Sequence, residues 1–104
     1  MSILEGVLKE ELDREQKNII AYQEMLSSYK KGYIFCQNIK GKNYCYRKYR
    51  EGNKIISEYI GLENSKEAIE AKENYKERKR IEANLKKLRK EEQKLIKALK
   101  HYGK

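Results

Sequence analysis

Four kinds of side chain in this sequence carry chemistry beyond packing: two cysteines, one histidine, a set of tyrosines and the cations interleaved with them. A nucleophilic enzyme needs an activated Ser, Cys or Thr within hydrogen-bond reach of a base. The lone histidine, His101, falls near the predicted end of a helix, where a solvated side chain is the ordinary outcome. The carboxylates recur at i, i+4 from lysines, as on solvated helix faces, and there is no P-loop or dinucleotide glycine pattern. These residues argue against an enzyme. A zinc site takes about four ligands, which one histidine and two cysteines do not supply, so no metal and no cofactor are expected.

Cys36 and Cys45 fall on one face of two neighbouring predicted strands, nearly opposite each other. Three readings stay open: small buried thiols, a cross-strand disulfide, or half of a metal site. A reducing cytosol favours reduced thiols. The tyrosines and cations point to binding. Lys40, Lys42, Arg47, Lys48, Arg50 and Lys54 offer phosphate-neutralising charge, and Tyr44, Tyr46 and Tyr59 offer rings for sugar and base. Against this stands the plain reading that tyrosines at period two are good strand formers, half buried on a helix.

The whole chain fits such a role. It has 104 residues, a formal net charge of +9, 39% charged residues and neither proline nor tryptophan, which bounds it to one small domain with a thin core. Residues 1–29 carry −3, residues 30–54 +7, residues 55–75 −3 and residues 76–104 +8. The positive charge is thus concentrated in the predicted sheet and the last third of the chain, where Lys86, Lys87, Arg89 and Lys90 cluster. Charge of that kind favours a polyanion. No apolar run is long enough to span a bilayer, and the N-terminus lacks the basic-then-apolar order of a signal peptide, so a cytoplasmic location and no membrane partner are expected.

The elements that must position these residues read as α+β. Ser2 and Glu5 have capping-box spacing, opening a helix over 2–31 whose apolar seam runs Leu8, Leu12, Ile19, Tyr22, Leu26 and Tyr29, with Glu15 interrupting it. Gly32 is the expected left-handed terminator. A three-stranded antiparallel meander over 33–61 follows, broken by Lys40-Gly41-Lys42-Asn43 and Glu51-Gly52-Asn53. Asn64 and Glu67 repeat the capping spacing and open a helix over 65–102, with a seam of Ile81, Leu85, Leu88, Leu95, Leu99 and Tyr102 interrupted by Arg78 and Glu92. The two helices are expected to pair as an antiparallel, coiled-coil-like hairpin. In that pairing Glu15 meets Arg78, and the longer helix overhangs its partner, leaving an apolar patch for a homodimer through the C-terminal helix.

Alternation separates two sheet faces. One collects Tyr33, Phe35, Tyr44, Tyr46, Lys48, Arg50 and Tyr59; the other collects Ile34, Cys36, Cys45, Arg47, Tyr49 and Ile56. The aliphatic and cysteine face is expected to pack on the helices, with the opposite assignment still open.

Two resemblances add to this. Tyr44-Cys45-Tyr46-Arg47-Lys48-Tyr49-Arg50-Glu51-Gly52-Asn53-Lys54 followed by Tyr59-Ile60-Gly61, between two charged helices, resembles the central motif of short uncharacterised proteins of Firmicutes and their mobile elements. Residues 33–73, ending in Gly61-Leu62-Glu63-Asn64-Ser65-Lys66-Glu67-Ala68, are similar to the arm-binding domain of phage and transposon integrases. That similarity implies a three-stranded sheet held against a helix and placed in DNA. The chain departs from it in its long N-terminal helix and the lack of a catalytic domain.

The function expected is a non-enzymatic nucleic-acid-binding accessory protein, with DNA ahead of RNA, using a basic, tyrosine-rich sheet. The alternative is a protein-interaction module recognising an acidic surface, such as a phage- or plasmid-encoded inhibitor (anti-CRISPR-like) or an adaptor on a host enzyme.

Overall fold

The computed structural model describes residues 2–102. Helix α1 (Ile3–Ser27) is followed by strands β1 (Tyr33–Ile39), β2 (Lys42–Glu51) and β3 (Lys54–Leu62) and by helix α2 (Lys66–Tyr102). The strands form one antiparallel sheet in the order β1-β2-β3, the expected α+β arrangement. No described helix is long and apolar enough to cross a membrane.

Local chemistry sets the element ends. Ser2 Oγ accepts from Glu5 N–H at 3.0 Å, so the first capping residue is the expected one. Helix α1 stops at Ser27 rather than continuing to Lys31, because Ser27 Oγ and Ser28 Oγ donate to the last-turn carbonyls of Glu24 and Met25 at 2.6 and 2.7 Å. Helix α2 is capped by Ser65, not Asn64: Ser65 Oγ accepts from Ala68 N–H at 3.2 Å. The β1–β2 turn has positive φ at both Lys40 (52°) and Gly41 (85°), the type I′ geometry that matches strand twist.

The chain divides into two compact units, residues 1–28 with 80–104 and residues 29–79. In the first, α1 and the second part of α2 run antiparallel. Their buried seam contains Glu15 and Ile19 on α1 and Ile81 and Leu85 on α2. Glu15 neighbours Glu91, and Asn18 and Tyr22 share a depression with Leu88 and Glu91, so the facing register is shifted by about three turns from the one expected. The reason lies in the second unit, which takes up the first turns of α2 and leaves only residues from Arg80 onward for the hairpin. Continued along the pair, this register faces Leu99 with the first turns of α1, and among the described residues α2 does not show the long overhang expected of it.

In the second unit the sheet packs on residues 66–79 of α2, whose Ala68 and Ala71 are buried. Cys45 is fully buried, whereas Tyr33 and Tyr59 on the other face are about half exposed. The aliphatic and cysteine face is therefore the one turned to the helix. Arg78, buried at 8% exposure, donates from Nη1 to Lys30 O at 2.8 Å and from Nη2 to Gly32 O at 2.7 Å. It clamps the segment leading into β1, while the neighbour of Glu15 in the other unit is a second carboxyl, Glu91. The expected Glu15–Arg78 pair is replaced by these separate arrangements.

Candidate nucleic-acid interface

Strand register assigns every side chain of the sheet to a face. Tyr33, Phe35, Gln37 and Ile39 of β1 oppose Lys48, Tyr46, Tyr44 and Lys42 of β2. On the other side of β2, Tyr46, Lys48 and Arg50 oppose Tyr59, Ser57 and Ile55 of β3. All these residues share the outer face, since neighbours across strands point the same way. A bulge shifts the register between Cys45 and Tyr46, so Cys45 opposes Gly61 while Tyr46 opposes Tyr59.

Five rings form a continuous array there. Tyr33 lies 6.2 Å from Phe35, Phe35 stacks on Tyr46 at 5.3 Å, and Tyr59 sits 5.5 Å from Tyr46 and 6.2 Å from Tyr44. The Lys48 ammonium stands 5.6 Å from the centre of the Phe35 ring, a cation–π contact that holds its stem down on the aromatics. Lys48, Arg50, Tyr33 and Ile55 also line a shallow depression of about 290 Å³ with Gly32 and Tyr49. Gly32 makes this corner possible: its φ is 103°, and a Cβ there would collide with the Lys48 carbonyl oxygen and meet Tyr49 Cβ at 2.9 Å.

Charge is segregated between the faces. The only carboxylates within the strands, Glu51 and Glu58, are on the helix side, and Lys42, Lys48 and Arg50 are on the outer side. Of the residues expected to bind, Tyr44, Tyr46, Lys42, Lys48 and Arg50 are brought together, and Lys40 sits beside them in the β1–β2 turn. Arg47 is not with them. It is on the helix side, its side chain 13% exposed, ion-paired to Glu58 at 3.5 Å. Lys54 is also on that side, opposite Glu51.

The cysteines are disulfide-bonded, which overturns the expectation of reduced thiols. Cys36 and Cys45 are direct cross-strand partners with Cα atoms 4.1 Å apart, so side chains leaving the same face meet. The bond ties edge strand β1 to the centre of the sheet behind the aromatic array.

In the other unit, Lys86, Arg89 and Lys90 lie with Lys94 and Lys97 along one exposed side of α2. Lys87 stands apart, bordering a depression shared with Asn18 and Tyr22 of α1. Among the described residues none of these cations is within ion-pair distance of a carboxylate, whereas on α1 Lys9, Arg14 and Lys17 pair with Glu5, Glu11 and Asp13. Sequence reasoning missed Tyr33 and Phe35 as site residues. Their signal was the same alternation that singled out Tyr44 and Tyr46.

Residues 3–70 match the family DUF6788, a domain of unknown function, and the chain belongs to that family. The match takes in α1, the whole sheet and the start of α2. No curated protein and no solved structure matches the chain.

Proposed function

We propose that this member of a family of unknown function is a non-enzymatic nucleic-acid-binding protein that sets the outer face of its sheet against its partner. The observation that carries the reading is the charge segregation: three cations and five rings share a face that has no carboxylate. Polyanion binding by such a face is dominated by counterion release, so affinity falls with salt at a slope of roughly 0.7 to 0.9 per phosphate neutralised. The exposed lysines and arginine of α2 are a second basic surface of the same kind.

The test is a salt series with labelled oligonucleotides and the full chain. Binding at micromolar protein in low salt is expected, with a log–log slope near −2 to −3 if Lys42, Lys48 and Arg50 each meet one phosphate. Lys48→Ala with Arg50→Ala lowers that slope by about 2. An unchanged oligonucleotide signal at low salt ends the proposal.

A second reading rests on the apolar exposure of the same face, where Ile55 is 62% and Tyr59 53% exposed. Aromatic patches of that kind also seat protein partners, and an inhibitor or adaptor docking on an acidic protein surface fits them. A one-to-one complex with a purified partner that survives nuclease treatment and moderate salt distinguishes this reading.

A further inference from the structure

We infer that the outer sheet face takes single-stranded nucleic acid, with unpaired bases stacking on its rings, in preference to a duplex; this rests on the nucleic-acid reading above. The rings make a path across all three strands, from Tyr33 and Phe35 on β1 through Tyr46 on β2 to Tyr59 on β3, with centroid steps of 6.2, 5.3 and 5.5 Å. The inner pair shield one another, but the two ends stay open, Tyr33 at 47% and Tyr59 at 53% exposure. Both rings keep surface free for a further stacking partner. The face of an unpaired base supplies one; the face of a paired base is already covered by its neighbours in the stack.

The cations sit where the attached phosphate would fall. Lys48 lies over Phe35, and with Arg50 it borders the depression whose other walls are Tyr33 and Ile55. One side of that depression is apolar and the other cationic, which matches a nucleotide's flat base and charged phosphate. A duplex offers a poorer match. Its bases are stacked on one another inside the helix, so the rings standing on both outer strands of this face meet no open base there. Three cations neutralise little duplex charge, but stacking is worth roughly 1 to 3 kcal/mol per base whatever the sequence. Stacking therefore decides the preference. An acidic protein segment pairs with the same cations, but its carboxylates leave the half-exposed rings of Tyr33 and Tyr59 without a stacking partner.

The chain reports on its own stacking, because it has nine tyrosines and no tryptophan. The full chain is titrated with oligothymidylate, a duplex of equal length and inorganic polyphosphate at about 0.15 M salt. Anisotropy and tyrosine emission are recorded together. Oligothymidylate is expected to bind at least about tenfold more tightly than the duplex and to quench tyrosine emission, and polyphosphate to leave it unquenched. Tyr33→Ala and Tyr59→Ala are each expected to weaken oligothymidylate binding about fivefold or more with the salt slope unchanged. Lys48→Ala changes the slope. Both tyrosines are half exposed, and Tyr59→Leu, which keeps apolar cover, is expected to weaken binding and reduce the quenching as Tyr59→Ala does while circular dichroism stays native. Equal affinity for duplex and single strand, or single-strand binding without quenching, overturns the inference and leaves the nucleic-acid reading standing. No binding to either nucleic acid overturns both.

Discussion

Among the described residues each compact unit buries one charged side chain in an otherwise apolar seam, and the two have opposite surroundings. Arg78 in the sheet unit directs two N–H groups at two backbone carbonyls and lies 5.3 Å from the centre of the Tyr75 ring. Glu15 in the helical hairpin is equally buried, but its neighbour is a second carboxyl, Glu91. A buried cation that satisfies backbone acceptors is a clamp. A buried acid beside another acid is a cost that a proton relieves. The sheet unit, which carries the aromatic face, thus has its interruption built in as support, and the hairpin tolerates its own.

The largest effect that sharpens this contrast belongs to Arg78. Arg78→Met removes two charge-assisted bonds and leaves the carbonyls of Lys30 and Gly32 without them, which is expected to cost about 3 to 5 kcal/mol in urea unfolding. Arg78→Lys is expected to recover less than half of that, because an ammonium lacks the planar fork that spans two acceptors. Full recovery by lysine would show that charge, not geometry, matters there. Gly32→Ala attacks the same junction from the other side and is expected to cost at least about 1 to 3 kcal/mol from its positive φ alone.

The disulfide comes next. Cys36 is exposed and Cys45 fully buried, so a reductant has a path to the bond through one sulfur only. The bond closes a short loop, the cysteines being nine residues apart, and chain entropy assigns such a loop roughly 2 to 3 kcal/mol. Reduction is expected to lower hydrogen-exchange protection in β1 and β2 and to leave residues of the α1–α2 hairpin unchanged. Loss of protection in both units at once would show that they unfold as one.

The faces of the sheet were legible in the sequence, because alternation of period two survives errors in turn placement and Gly41 and Gly52 mark the turns. The helix ends were less so. Asn64 and Glu67 have capping spacing, but Ser65 does the capping, and the serines at 27 and 28 end α1 before Gly32 is reached. Seam residues such as Leu12, Ile19 and Leu85 were legible, but their facing register was not, since it depends on how many turns of α2 the sheet unit takes up. The cross-strand position of the cysteines could be read from alternation; their oxidation state could not, because it was argued from compartment. Arg47 was counted with the binding residues from charge density alone, although its parity with Cys45 already placed it on the helix side. Tyr33 and Phe35 show the converse: alternation puts them on the face of Tyr44 and Tyr46, but it is strand pairing that sets Phe35 against Tyr46 and extends the array to Tyr33.

The smallest effect is the most direct test of the contrast. Burial pushes the Glu15 carboxyl above the ordinary carboxylate range, and its hydrogen bond to Glu91 and the charges of Glu91, Glu11 and Glu92 push it the same way. A group that holds its proton more tightly folded than unfolded stabilises the fold fully below its unfolded pKa, and that contribution is lost as pH rises through the folded value. The hairpin is therefore expected to weaken as pH rises from the ordinary carboxylate range toward neutrality. Glu15→Gln keeps a hydrogen-bonding group against Glu91 and removes the titration, so it is expected to stabilise the protein by about 1 kcal/mol at neutral pH and to leave acid stability nearly unchanged. The two stability curves then converge at low pH. If they run parallel instead, the Glu15 carboxyl titrates alike in the folded and unfolded chain, and its burial beside Glu91 carries no such cost.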